Sequence, residues 1–312
     1  MSANTVTGSS LKTLLILQAI PLFFSSNIIL GRALNTMVEP ATLAFYRWSI
    51  ATIILLMFSA FQLWKFRAQL FRVIDLLFIL GFLGMFVSGA VFYAGLQQTT
   101  AIKGALIYMA SPAIIVILEV FFRGARVSFA RITGIIAAMT GVFIILAGSA
   151  DQNAALFTWQ SGDLYCIAAS ISWALYSVIL KSKRLVKIPT VVLFSAIAIA
   201  GSIILFPFYL WENGLRASYD FSVETWVSIF FIASVSSVLA FGFYQKGVEL
   251  VGASTTGLYL YLLPVYASVI AVSWLGEVLS IVHVIGFVLI AGGLYYSTRS
   301  YRDRQKTIAK NQ

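Results

Sequence analysis

Residues 101–141 read AIKGALIYMASPAIIVILEVFFRGARVSFARITGIIAAMTG, and a weakly altered copy follows at residues 253–293 as ASTTGLYLYLLPVYASVIAVSWLGEVLSIVHVIGFVLIAGG. The spacing between the two copies is constant, since five landmarks recur 152 positions later. These landmarks are Ala101, Pro112, Gly124, Gly134 and Gly141, which return as Ala253, Pro264, Gly276, Gly286 and Gly293. Nearer the start of each half, Phe45 and Phe194 are related by an offset of 149. Self-similarity at a fixed period predicts a duplicated unit, here of roughly 150 residues.

The composition indicates a protein whose solvent is lipid. Of the 312 residues, 60% are hydrophobic and 10% are charged, whereas a soluble domain has roughly 25% charged residues. The single cysteine, Cys166, excludes an intrachain disulfide, and the single histidine, His283, leaves little imidazole chemistry. The first apolar run lacks the cleavage pattern of a secretory signal, so we expect it to remain as a span. We expect no metal centre and no cofactor.

Ten apolar runs are long enough to cross a bilayer, because a hydrocarbon core of about 30 Å needs roughly 20 apolar residues per helix. The predicted spans are 11–31, 41–63, 74–95, 100–122, 129–148, 163–181, 189–211, 225–245, 252–275 and 281–298. The sequence therefore predicts an all-α polytopic membrane protein with five spans in each half.

The lysines and arginines are distributed unequally between the two sides of these spans. Seventeen of the 21 lie on one side, and the exceptions are Arg32, Arg47, Lys103 and Arg216. Such a bias marks the cytoplasmic side and predicts that both termini are cytoplasmic. Because each half has an odd number of spans, the halves would be inserted as inverted repeats. We assign the net charge of +10 to topology and lipid headgroups, and not to nucleic-acid binding.

The predicted organisation follows from these spans. Residues 1–10 form a cytoplasmic tail, 11–150 the first five-helix repeat and 151–298 the second, inverted repeat. Residues 299–312 are expected to form a basic, frayed cytoplasmic tail.

The repeated stretch resembles the second part of an EamA-type repeat, the unit of the ten-helix branch of the drug/metabolite transporter superfamily. The second copy keeps the spacing from Pro264 to Gly276 and Glu277 that is typical of this family. The first copy has Ala125 where the family commonly has the glutamate, so we interpret Glu277 as a structural helix-end residue. Among subfamilies, the chain is most similar to bacterial exporters of aromatic amino acids.

The resemblance implies a basket of ten helices around a central cavity. The first, third, fourth, sixth, eighth and ninth spans would line this cavity, while the second and seventh would be more peripheral. For this reason we expect Arg47, on the second span, to make a structural contact. The paired glycines of the fifth and tenth spans, Gly134 with Gly141 and Gly286 with Gly293, are expected to let backbones pack closely.

Polar residues on the cavity-assigned spans are candidates for substrate binding, because polar groups in lipid are costly and are kept for packing or function. Lys103 would attract a substrate carboxylate, although a lysine that snorkels to the outer surface is the alternative. Asn27 and Gln245 would contact the ligand or form interhelical hydrogen bonds.

Aromatic residues on the same spans give a second set of candidates. An aromatic-walled cavity suits a substrate with one flat apolar end, and the alternative is a belt at the lipid interface. The aromatic candidates are Phe92, Tyr93, Tyr108, Trp173, Tyr176, Tyr244, Tyr259 and Tyr261. Pro112 and Pro264, each lacking a backbone N–H inside a span, are candidate hinges or structural kinks.

These observations lead us to expect a secondary transporter of the bacterial inner membrane that exports small amphipathic metabolites, foremost aromatic amino acids, by alternating access. Multidrug or toxic-compound efflux is the alternative, and an intramembrane enzyme is a remote one because no HExxH motif or cluster of aspartates is present. We expect no catalytic residues, and partners limited to lipid and a small-molecule substrate, with a monomer as the functional unit. A nucleotide-binding GxxxxGK[ST] motif is absent from the sequence.

Overall fold

The computed structural model describes residues 11–34, 37–124, 127–148, 158–214, 221–275 and 280–310. Ala125, Gly276 and Glu277, which the sequence singles out, lie outside these ranges, as does the tail 1–10. The helices are α1 (Leu11–Leu34), α2 (Pro40–Phe71), α3 (Ile74–Leu96), α4 (Ala101–Tyr108 and Ser111–Arg123), α5 (Phe129–Gly148), α6 (Ser161–Ile179), α7 (Thr190–Gly214), α8 (Val223–Val251), α9 (Ala253–Leu258, Tyr259–Leu262 and Leu263–Leu275) and α10 (Ile281–Lys310).

The predicted all-α membrane fold is confirmed. Nine helices in the described part of the chain are long and apolar enough to cross a membrane, and α1 adds a shorter apolar stretch over Leu11–Asn27. The helices follow the predicted spans in order, because apolar runs of this length determine where helices form in lipid.

Two helices run well past the predicted membrane spans. The helix α2 continues to Phe71 and α10 continues to Lys310, so the expectation that the C-terminal tail frays from residue 299 is wrong for the backbone. Hydropathy indicates where a helix leaves the lipid, but the helix itself can continue into water where the following residues favour helical structure. The residues after each span are mostly good helix formers such as Lys, Arg, Gln and Ala, and they include no Gly or Pro.

The same departures from α-helical geometry occur in both halves of the chain. A π-helical segment interrupts α3 at Phe82–Val91 and α8 at Ile232–Leu239. The helix α4 is broken at Met109 and Ala110, and α9 tightens into a 3₁₀ turn at Tyr259–Leu262. Mid-helix π and 3₁₀ stretches frequently mark functional positions.

The two prolines lie just after these breaks. Pro112 is the second residue of Ser111–Arg123 and Pro264 is the second residue of Leu263–Leu275. Proline is tolerated in the first turn of a helix, where its missing N–H would have no intrahelical partner. Each proline therefore lies at the start of a helical segment, and its role as a hinge or a structural kink stays a prediction.

Glycines hold α5 and α10 in close contact, which confirms their predicted packing role. A Cβ atom added to Gly293 would lie 2.4 Å from the carbonyl oxygen of Gly134, and one added to Gly141 would lie 2.6 Å from that of Gly286. Rising residue numbers on α5 match falling numbers on α10, so the two helices are antiparallel. Gly134 meets Gly293, which is the repeat counterpart of Gly141, and Gly141 meets Gly286, which is the repeat counterpart of Gly134. This reciprocal pairing is the self-complementary pattern of a two-fold contact.

The helices α2 and α7 form a second antiparallel pair through hydrogen bonds. The hydroxyl oxygens of Tyr46 and Tyr209 are 3.0 Å apart, and the Oγ of Ser59 donates to that of Ser195 over 2.8 Å. At the start of α2, the backbone N–H groups of Ala41 and Thr42 donate to the carboxylate of Glu212. Both antiparallel pairs join the two halves and are compatible with the predicted inversion.

We expect Gly293→Ala to lower the free energy of unfolding by about 1–3 kcal/mol, because the added methyl group overpacks the contact with α5. The neighbouring Gly292 is a matched control, since a Cβ atom there meets no atom within 4 Å. Thermal unfolding in detergent, followed by size-exclusion fluorescence, measures both variants. An unchanged midpoint for Gly293→Ala would contradict the proposed close packing.

Candidate functional site

A cavity of about 100 Å³ lies where α1, α2, α3, α4, α6, α8 and α9 meet. All six predicted spans contribute to its wall. The wall also includes Arg47 and Trp48 of α2, so the expectation that the second span is peripheral to the cavity is wrong. The helix α2 reaches the centre because α3 and α8 both pack against it.

Six of the fifteen residues that line the cavity are aromatic. Phe92 and Tyr108 lie with their ring centroids 4.7 Å apart. On the other side, Trp173 packs edge-on against Phe24 at 5.8 Å and against Phe241 at 5.2 Å. Edge-to-face contacts of this kind are favourable beyond the area they bury. The cavity is therefore bounded by rings contributed by both halves of the chain.

Arg47 supplies a buried positive charge to this cavity. Its side chain is 5% exposed, and its Nε donates to the Oγ of Ser237 over 2.5 Å. Its Nη1 donates to the hydroxyl of Tyr93 over 2.8 Å and to the Oδ1 of Asn27 over 3.2 Å. The Tyr93 hydroxyl in turn donates to the same Asn27 oxygen over 2.7 Å.

The charge on Arg47 is held by neutral oxygen atoms. No carboxylate of the described residues forms an ion pair with it. A charge inside a membrane protein is costly and usually faces a partner or a water-filled path. Arg47 is therefore the group at this cavity best able to bind an anion.

Helix irregularities help to place the polar groups around the cavity. Gly84, Ser88 and Gly89 line it from the π-helical segment of α3, and Ser237 lies in the π-helical segment of α8. The Ser88 hydroxyl lies 2.7 Å from that of Tyr108. A π-helical turn rotates the residues that follow it relative to an α-helix and so changes which side chains reach the centre.

Lys103 lies away from this cavity in an ion pair. Its Nζ is 2.6 Å from the Oδ2 of Asp163, whose side chain is 1% exposed, and it also donates to the carbonyl of Thr158. The Oγ1 of Thr99 donates to the other Asp163 oxygen over 2.7 Å. The side chain of Lys103 is buried, so it does not snorkel. A role of Lys103 in substrate binding stays a prediction, but Asp163 already provides the counterion for its charge.

The remaining predicted residues fall into two groups. Four of them line the cavity, namely Asn27, Phe92, Tyr108 and Trp173. The others are buried outside its wall, namely Tyr93, Tyr176, Tyr244, Gln245, Tyr259 and Tyr261. On α9, Leu260 and Leu263 line the cavity in place of the two tyrosines.

Sequence reasoning missed several cavity residues, above all Arg47. One signal was available, because a charged residue within an apolar span is a functional candidate by default. The assignment of α2 to the periphery overrode that signal. Phe24 and Phe241 gave no signal, since phenylalanine is common throughout the spans.

The model of the EamA-like transporter family matches residues 11–147 and 160–299. The chain belongs to this family. The predicted resemblance is thereby confirmed, and this EamA-like transporter has one matched stretch in each half of its sequence.

Relatives with curated descriptions are similar over most of the chain. The uncharacterized transporter YetK of Bacillus subtilis is 28% identical over 86% of this chain and 82% of its own length. A probable amino-acid metabolite efflux pump of Salmonella typhimurium is 25% identical over 64% of this chain and 68% of its own. A solved crystal structure aligns with a TM-score of 0.74 over 95% of this chain and 99% of that one. At 20% identity, this last likeness shows the fold alone.

We expect Lys103→Met to destabilise the transporter by about 3–5 kcal/mol, because it leaves the buried Asp163 carboxylate without its counterion. The double variant Lys103→Met/Asp163→Asn removes both charges and should recover most of the lost thermal stability and transport. If Lys103 instead binds the substrate, the double variant will be stable but will still transport carboxylate-bearing substrates poorly. Thermal unfolding and uptake into liposomes, measured on the same preparations, separate the two roles.

Proposed function

We propose that this EamA-like transporter is a secondary transporter of the bacterial inner membrane that exports small amphipathic metabolites, foremost aromatic amino acids. It acts as a monomer with both termini in the cytoplasm. Alternating access exposes the central cavity to one side of the membrane and then to the other. The proposal rests on Arg47, which is buried beside an aromatic wall and forms no ion pair with a carboxylate of the described residues.

The polar and aromatic parts of the cavity match the two ends of an aromatic amino acid. Arg47 is suited to bind the carboxylate through its Nη2, because its Nε and Nη1 already donate to Ser237, Tyr93 and Asn27 and charge-assisted hydrogen bonds are strong. The hydroxyl oxygen of Tyr93, which accepts one bond from Arg47, provides a further acceptor position for the ammonium group. The side-chain ring of the substrate would pack against Trp173 and Phe241.

The size of the cavity implies that binding requires movement. A volume of about 100 Å³ is below the roughly 300–1,000 Å³ typical of ligand pockets. Helices must therefore separate before an aromatic amino acid fits. The irregular segments of α3, α4, α8 and α9 lie around the cavity and have fewer regular helical hydrogen bonds to break, so we place the movement there.

The relatives support an exporter of metabolites, because one of them is described as a probable amino-acid metabolite efflux pump. Efflux of apolar drugs is the alternative, and it is favoured by the mainly aromatic and apolar wall. The two functions differ in their need for Arg47, since an uncharged or cationic drug has no carboxylate for it to bind.

We expect Arg47→Gln to lower transport of phenylalanine and tryptophan by about 10- to 100-fold, the factor that corresponds to losing a charge-assisted hydrogen bond. Counterflow into liposomes with labelled phenylalanine, and with phenethylamine as the analogue without a carboxylate, measures the effect. Arg184→Gln is the matched control, because Arg184 pairs with Asp75 on the surface and lies outside the cavity.

The two substrates distinguish amino-acid export from drug efflux. Loss of phenylalanine counterflow with little change for phenethylamine supports a carboxylate site at Arg47. Undiminished phenylalanine counterflow in a folded Arg47→Gln variant contradicts the proposal. Wild-type transport of phenethylamine without phenylalanine points to the drug-efflux alternative. Size-exclusion profiles confirm that each variant is folded.

Pro112 and Pro264 are proposed as hinges of the alternating movement. We expect Pro264→Ala to slow turnover at saturating substrate several-fold, because alanine allows α9 to continue as one stiff helix. Pro207→Ala is the control, since Pro207 lies inside α7 and does not line the cavity. Equal slowing by the two substitutions, or no slowing by Pro264→Ala, would exclude the hinge.

A further inference from the structure

A second, larger space opens at the basic end of the bundle. This cleft has a volume of about 880 Å³ and lies between α1, α2, α7 and α8, next to the segment 180–189. Its rim carries Lys181, Lys187 and Lys246. In the predicted topology this rim faces the cytoplasm, where an exporter must collect its substrate. The lysines give the cleft an excess of positive charge, with Glu249 as the acidic residue among those that line it.

The cleft and the central cavity have no lining residue in common among the described residues. They nevertheless meet the same short stretch of α8, because Phe241 lines the cavity while Gly242 and Gln245 line the cleft. Five rings from α1, α6 and α8 pack together at this point. We call this group the aromatic barrier, and it consists of Phe24, Trp173, Tyr176, Phe241 and Tyr244.

The rings of the aromatic barrier are in direct contact. Trp173 is at its centre, with ring-centroid distances of 5.3 Å to Tyr176 and 4.8 Å to Tyr244. Trp173 faces the cavity, whereas Tyr176 and Tyr244 lie behind it and are wholly buried. The contacts between these rings are noncovalent, so rotation of the side chains is enough to separate them.

Two hydrogen bonds hold the barrier tyrosines in place. The Nε2 of Gln245 donates to the hydroxyl of Tyr176 over 2.9 Å, and the hydroxyl of Tyr244 lies 2.6 Å from the Oγ of Ser177. The amide oxygen of Gln245 is buried and has no hydrogen-bond partner among the described residues. A buried acceptor without a partner is unfavourable, and this one belongs to a residue of the cleft wall.

We propose that the cleft is the entry site for the substrate and that the aromatic barrier is the gate between it and the central cavity. The inference rests on the proposed transport function. The lysines at the rim attract the carboxylate of an arriving amino acid, and its ammonium group donates to the free amide oxygen of Gln245. Because that oxygen is buried, the Gln245 side chain must turn towards the cleft to form this bond, which pulls its Nε2 away from the Tyr176 hydroxyl and so favours opening of the gate.

The test measures how fast a thiol in the cavity reacts with a reagent applied from the side of the cleft. The reporter is Ala105→Cys, which lines the cavity, in a Cys166→Ala background. The reagent is a small, membrane-impermeant, anionic methanethiosulfonate, added to inside-out vesicles and separately to right-side-out vesicles. We expect Tyr176→Phe, which keeps the ring and removes the hydroxyl, to raise the labelling rate about three- to tenfold from the cleft side.

Two further variants sharpen the test. Ser177→Ala releases Tyr244 and should have the same effect through the second hydrogen bond. Tyr209→Phe is the matched control, because it removes a tyrosine hydroxyl bonded to Tyr46 outside the barrier, and its labelling rate should equal that of the parent. Unchanged rates for both Tyr176→Phe and Ser177→Ala, or rates that rise equally from both sides, would overturn the proposal.

The accessibility measurement needs no substrate, so it can fail or succeed independently of the proposed function. Faster labelling in Tyr176→Phe together with absent amino-acid counterflow would support the proposed gate and contradict the proposed substrate. Counterflow of phenylalanine with unchanged labelling would support the proposed substrate and contradict the proposed gate.

Discussion

Burial of Arg47 is the constraint around which the centre of this transporter is arranged. A charged side chain at membrane depth costs about 2.5–3.5 kcal/mol on insertion scales, and no carboxylate of the described residues offsets it. Three neutral oxygens compensate instead, from Asn27 on α1, Tyr93 on α3 and Ser237 on α8. These contacts join both halves of the chain at one point. The same arrangement leaves the guanidinium beside the cavity, where a ligand can contact it.

The packing divides the bundle into a tight part and an irregular part. The helices α5 and α10 meet through glycines whose backbones leave no room for a side chain. The helices around the cavity instead contain π-helical, broken and 3₁₀ segments at matching positions in both halves. Closely packed backbones resist rearrangement, whereas a helix with interrupted hydrogen bonding bends at the interruption. A transporter built in this way can change shape near its cavity while α5 and α10 stay together.

The helical membrane fold was largely predictable from the sequence, because the length of an apolar run depends on local composition and determines where a helix can span the membrane. The site was less predictable, because it depends on contacts between distant residues. Nothing in the sequence near Lys103 indicates its pairing with Asp163, and the 3₁₀ turn of α9 is not visible in its hydrophobic pattern. Tyr259 and Tyr261 were candidates because they are aromatic residues on a span assigned to the cavity, whereas Leu260 and Leu263 of that span line its wall. Arg47 was visible as a charge in an apolar span, but the implied position of α2 concealed its role.

Two of the buried cations of the first half, Lys103 and Arg47, have different electrostatic surroundings, and the difference bears on the proposed substrate class. Lys103 is neutralised by Asp163 at 2.6 Å, so this pair adds little net field at the cavity. Among the described residues, Arg47 contacts neutral groups, namely three oxygen atoms and the ring of Trp48, and its charge is weakly screened because water has limited access to a mainly apolar chamber. A cationic drug entering that chamber would be repelled by Arg47, whereas a carboxylate would be attracted. The aromatic wall alone would accept either ligand, so the proposed preference for an anionic or zwitterionic metabolite rests on Arg47, which has no ion-pair partner among the described residues.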